Sequence, residues 1–100
     1  MAQISYSSQA LADLERISDF LSGEGVGAPL EALELIDDAV NILARHPFIG
    51  RQAESGLREL VISQGATGYI ALYSYEPDHD AILVLAIRHQ REAGYRSQTT

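Results

Sequence analysis

Arg88, His89, Arg91 and Glu92 fall within five residues and directly follow an apolar run, Ala81-Ile82-Leu83-Val84-Leu85-Ala86-Ile87. An imidazole titrates near neutrality and can give or take a proton, and flanking guanidinium groups can stabilise charge developing on a phosphodiester. The same cluster can instead anchor an acidic partner. No clear general base accompanies His89, and the spacing builds neither a Ser-His-Asp set nor a paired-carboxylate site. Residues 1–87 hold four Arg against thirteen acids, whereas residues 88–100 hold three Arg against one Glu. Positive charge is therefore concentrated at one end of an acidic chain.

Other residue types with chemical potential lie upstream. Pro47-Phe48-Ile49-Gly50-Arg51 reads as a compact structural turn built on Pro47 and Gly50 that gives Arg51 a fixed exit. Arg51 there either caps the preceding helix, pairs with Glu54 or Glu59, or serves a site. Tyr69, Tyr73 and Tyr75 share one strand face by alternation, as core tyrosines with bonded hydroxyls or as a docking surface that Arg58 extends. His46, His79 and His89 are scattered and show no HxH, HxxxH or HExxH spacing, so no metal and no cofactor are expected. Gly23–Gly27 contains Gly-x-Gly-x-Gly, but no strand precedes it and no Lys-Ser/Thr follows, so it is a helix connection rather than a phosphate loop.

The composition narrows the class further. The 100-residue chain is 46% apolar and 21% charged, ordinary folded-domain material, and is expected to form one domain over residues 1–100 with a flexible tail at 96–100. There is no cysteine, hence no disulfide, thiolate site or thiol nucleophile. With no secretory signal and no membrane-length apolar run, a cytoplasmic location is expected. The net charge of −7 argues against tight binding of bare nucleic acid. All seven cations are Arg, which favours planar, bidentate contacts.

These residues need elements to hold them. Gln3-Ile4-Ser5-Tyr6 alternates as a half-buried strand, and Ser7 or Ser8 caps a helix with Leu11, Leu14, Ile17 and Leu21 as its stripe and Asp13 off it. A second helix has Pro29 in its first turn and buries Leu30, Leu33, Ile36, Val40 and Leu43, until His46-Pro47 stops it. Ala32, Leu35, Ala39 and Ile42 widen its apolar face beyond what a small sheet covers, which makes Leu35, Ala39 and Ile42 candidates for contact with a protein partner. Three strands follow at about residues 58–63, 69–75 and 80–88, joined by hairpin turns. The last is apolar at every position, the pattern of a strand buried on both faces. The order β-α-α-β-β-β predicts an α+β domain: a helical hairpin on a small antiparallel sheet.

Taken with Ala10-Leu11-Ala12-Asp13-Leu14, Leu43-Ala44-Arg45-His46-Pro47-Phe48-Ile49-Gly50-Arg51, Leu57-Arg58-Glu59-Leu60, Gly68-Tyr69-Ile70-Ala71-Leu72-Tyr73 and the 82–92 segment, the chain resembles the ParE branch of the RelE/ParE toxin superfamily. Five short motifs in the right order cover nearly the whole chain. The resemblance implies the toxin of a toxin–antitoxin (plasmid-stabilisation) module, neutralised by an antitoxin that wraps around it. RelE-like members cut mRNA on the ribosome and are strongly basic, whereas ParE-like members are described as poisons of DNA gyrase. RelE-like chains commonly carry Arg straight after the tyrosine that aligns with Tyr69; here that residue is Ile70.

Three functions follow from the resemblance. The first is a non-enzymatic ParE-like inhibitor of gyrase, the second a metal-independent, ribosome-dependent endoribonuclease, and the third an inactive relative kept as a binding module. Target-binding or activity candidates are Arg58, Tyr73, Arg88, His89, Arg91 and Glu92. Expected partners are a cognate antitoxin and either gyrase or the ribosome, with no membrane.

Overall fold

The computed structural model describes residues 1–23, 27–64 and 67–89. The Gly23–Gly27 connection and the turn at residues 65–66 lie partly or wholly outside that range, as do Arg91, Glu92 and the tail 96–100. The chain begins with β1 (Gln3–Tyr6), α1 (Ser8–Leu21) and α2 (Ala28–Asn41). It continues through β2 (Arg51–Gln52), β3 (Arg58–Gln64), β4 (Thr67–Glu76) and β5 (Ala81–His89). Ser7 caps α1 as expected, its Oγ accepting the Ala10 N–H at 3.0 Å. Gly27 leads α2 with a positive φ of 89°, a conformation that costs glycine nothing, and Pro29 lies in the first turn. A single 3-10 turn, Ile42–Ala44, ends the helix before His46-Pro47.

The helices pack on one face of a sheet ordered β1-β5-β4-β3-β2. The α+β class and helical hairpin agree with the sequence reading, but the sheet is five-stranded and mixed rather than wholly antiparallel. β1 runs parallel to β5, with Gln3 opposite Ala81 and Tyr6 opposite Val84, while the other pairings are antiparallel. A four-residue alternation identifies a strand without naming its neighbour, and two-residue β2 has no period to detect.

The buried faces also differ from the sequence stripes. On α1 the buried positions are Ala10, Asp13 and Ile17, whereas Leu11 is 55% exposed. On α2 they are Ala32, Ile36 and Val40, continued by Leu43, whereas Leu30 is exposed. Small Ala10 and Ala32 are buried, while the larger Leu11 and Leu30 turn outward. β5 is apolar from Ala81 to Ile87 and lies inside the sheet, yet it is not buried on both faces. Ile82, Val84 and Ile87 are buried, while Leu83 on the alternate face is 38% exposed.

Candidate functional site

β1 stops pairing at Val84, three residues before Ile87, so among the described residues half of β5 has no neighbouring strand on that side. Side chains from the start of α1 replace it. The Ser7 N–H donates to Val84 O at 2.9 Å, and Ser7 Oγ donates to Leu85 O at 3.0 Å. Asp13 Oδ2 then accepts the Ile87 N–H at 2.9 Å, and an Arg16 guanidinium N–H donates to Ile87 O at 3.4 Å. The Asp13 side chain also accepts from Gln9 at 2.9 Å and from Arg16 at 2.6 Å. Asp13 is only 2% exposed, and three donors satisfy its buried side-chain oxygens. The expectation that Asp13 lies away from the buried stripe is thereby corrected: the residue is an edge cap for β5.

Beside this cap a bulge interrupts the β4–β5 register, because Leu72 pairs with Ala86 and Tyr73 with Val84, leaving Leu85 as the extra residue. Past the bulge, Arg88 stands opposite Ile70 and His89 opposite Tyr69. The His89 ring meets that of Tyr69 edge-on, with centroids 5.1 Å apart. Burial pushes the Tyr69 phenol up, so it stays neutral. Arg88 and His89 are therefore held at a braced strand end, each half-buried.

Arg58 and Tyr73 lie in a second assembly, around the 47–51 turn. Tyr73 is fully buried, and its hydroxyl donates to Pro47 O at 2.8 Å and accepts the Gly50 N–H at 2.9 Å. Burial raises its pKa, outweighing the Gly50 hydrogen bond and the nearby Arg58 charge, which both lower it. Tyr73, an activity candidate from the sequence, is thus found in the core, with its hydroxyl closing the turn. Arg58 donates to Gly50 O at 2.7 Å and Phe48 O at 3.2 Å, and its guanidinium lies over the Phe48 ring, 5.0 Å from the centroid. A Cβ on Gly50 would sit 2.6 Å from the Tyr73 hydroxyl and 2.8 Å from Glu59 O, so only glycine fits. Of the alternatives for Arg51, the structure selects the ion pair with Glu59, at 3.2 Å.

The partner-contact candidates do not share one open face. Leu35 and Ala39 are half-buried and pack against the core, because α2 turns them toward the sheet, while Ile42 is exposed. An open apolar surface is instead a groove of about 400 Å3 between α1 and α2, lined in part by Leu11, Leu14, Leu33 and Ile36, with Glu15 and Asp37 also along it. Sequence reasoning missed it by assigning Leu11 and Leu33 to the core stripes. At its edge the Tyr6 hydroxyl donates to Asp37 Oδ1 at 3.2 Å. Burial, then the Asp37 charge and the hydrogen bond to it, push the Tyr6 pKa up to about 12. Among the described residues no cluster of three His, Asp or Glu side chains is arranged to hold a metal ion.

Two helices packed on a five-stranded mixed sheet match the structures of RelE/ParE toxins. A 25%-identical structure, the chromosomal ParDE toxin–antitoxin system from P. aeruginosa, superposes with a TM-score of 0.68 over 87% of this chain and 94% of that one. The intact E. coli RelBE toxin–antitoxin complex shares the fold at 11% identity, with a TM-score of 0.62 over 87% of this chain and 94% of that one. Residues 4–94 match the family described as the ParE toxin of the type II toxin–antitoxin system parDE. Toxin RelE3 of Caulobacter vibrioides is 33% identical over 92 residues, covering 92% of this chain and 98% of that toxin. Toxin RelE2 of the same organism is 36% identical, covering 89% and 96%. The chain belongs to the ParE toxin family and is the toxin of a type II toxin–antitoxin module.

Proposed function

We propose that this toxin acts as a ParE-like inhibitor of DNA gyrase in the cytoplasm, as a single domain, and is silenced by a cognate antitoxin. The observation that carries the choice of target is Ile70. It occupies the position where RelE-like chains commonly carry Arg, and its side chain is buried. With no Lys and a net charge of −7, the chain is poorly suited to gripping ribosomal RNA. The antitoxin reading draws on the neighbouring structures, which are toxin–antitoxin systems and complexes. We place the antitoxin over the α1–α2 groove, where a helix can bury Leu11 and Leu33. Arg88 and His89, with Arg91 and Glu92 beyond the described range, remain the candidate contacts to the target.

A second reading, ribosome-dependent mRNA cleavage, draws on the names of the two Caulobacter relatives, both RelE toxins. The deciding experiment is induced expression without antitoxin, with supercoiling and DNA damage scored beside mRNA integrity. Loss of supercoiling with intact mRNA is expected. Cleaved mRNA with normal supercoiling selects the second reading, and neither effect marks an inactive relative.

A further inference from the structure

Two large apolar side chains stand out at the 47–51 turn: Phe48 is 60% exposed and Ile49 57% exposed. They are not on a loose loop. The Tyr73 hydroxyl holds the carbonyl before Phe48 and the N–H after Ile49, and Arg58 holds the carbonyls of Phe48 and Gly50. Phe48 is further fixed by Arg58 over its ring and by an edge-on contact with Tyr75, centroids 5.2 Å apart. Pre-ordered aromatic and aliphatic side chains of this kind bind with little entropy still to lose. The surrounding charge is also distinctive. Residues 42–59 carry Arg45, Arg51 and Arg58 against Glu54 and Glu59, whereas residues 8–41 carry one Arg against eight acids.

We infer that the Phe48–Ile49 tip is the anchor by which this toxin docks into an acidic-rimmed apolar cleft on its protein target. This deepens the reading of the chain as a toxin with a protein target and rests on it. Charge complementarity identifies the occupant. A mildly basic, apolar tip beside strongly acidic helices is drawn to a negative surface and repelled by a positive one. RNA fits less well, because Arg58 already occupies one face of the Phe48 ring. Arg51 and Arg58 also direct hydrogen bonds inward, to Glu59 and to the turn carbonyls, rather than toward phosphates. The tip shares no residue with the α1–α2 groove, so target and antitoxin surfaces are separable by mutation.

The test is a Phe48→Ser/Ile49→Ser double variant, with Phe48→Leu as the conservative control and Arg45→Glu as the charge reversal. Growth arrest on induction, inhibition of gyrase holoenzyme, mRNA integrity, thermal unfolding and complex formation with the antitoxin are measured for each. The double variant is expected to raise the half-inhibitory concentration about thirtyfold, the size of a hot-spot truncation, with unchanged unfolding and antitoxin binding. Phe48→Leu should retain most of the activity, and Arg45→Glu should weaken it about fivefold. A double variant as toxic as the parent overturns the inference. So does parallel loss of antitoxin binding, which would give the tip to the antitoxin, or selective loss of mRNA cleavage, which would give it to RNA. If the parent arrests growth without inhibiting gyrase while the double variant does neither, the gyrase reading fails and the anchor stands. A parent that arrests nothing overturns both.

Discussion

The strand exit at Ile87 and the turn at Pro47–Arg51 are both braced by side chains from a neighbouring element, but with opposite chemistry. At the exit the brace is ionic and buried: Asp13, with Arg16 alongside, grips the backbone of a strand that has lost its neighbour. At the turn the core contribution is a neutral phenol, and the charged contribution, Arg58, comes from nearer the surface. A carboxylate suits the exit because one group there must satisfy three donors at once. A phenol suits the turn because one carbonyl and one N–H need a group that both donates and accepts. The ionic brace is therefore the stronger and the less forgiving of the two.

Removing the charge should make that asymmetry largest. Asp13→Ala strands the Ile87 N–H and leaves Arg16 without its buried counter-ion, and is expected to cost about 3–5 kcal/mol in denaturant unfolding. Asp13→Asn keeps an acceptor and should recover part of the loss. An Asp13→Ala loss below that of the phenol variant would reverse the ranking of the two braces. Tyr73→Phe keeps the ring in the core but orphans Pro47 O and the buried Gly50 N–H, at an expected cost of about 1–3 kcal/mol. Faster hydrogen exchange confined to residues 47–51 would locate the damage at the turn.

The smallest effect compares Tyr73 with Tyr6, a phenol at the protein surface. The Tyr6 pKa is pushed up to about 12, above its ordinary 10, so the folded state favours the protonated phenol. Its contribution is present in full below pH 10 and is lost as pH rises from about 10 to about 12. Unfolding measured across that window should show a stability decline that Tyr6→Phe flattens. An unchanged slope in Tyr6→Phe would assign the decline to the other tyrosines.

The elements were legible wherever a period or a cap announces them. Ser7 is readable as an N-cap from its position before a helical stripe, and β5 from an unbroken apolar run. What could not be read was pairing. Nothing in Gln3–Tyr6 names Ala81–Val84 as its parallel neighbour, because a strand's alternation records its faces and not its edges. Asp13 was hidden for a related reason. Beside Arg16 at i,i+3 it looks like a solvated helix pair, and the N–H that buries it comes from residue 87. The braced turn was half legible: Pro47, Gly50 and Arg51 mark it, while Tyr73 had been open to either a core or a surface role until its hydroxyl was seen to close on Gly50.

The parallel pairing of β1 with β5 also sets a clock. Residues in register across that ladder are separated by 78 positions, as are Ser7 and Leu85, which bond just beyond it. During synthesis the first strand and the α1 cap emerge long before their partner, and contacts of such high sequence separation form slowly. Until β5 is out of the ribosome, Asp13 has no Ile87 N–H to accept and the strand end carrying Arg88 and His89 has no brace. A chain that ends before β5 therefore lacks the parallel ladder and the Asp13 brace together.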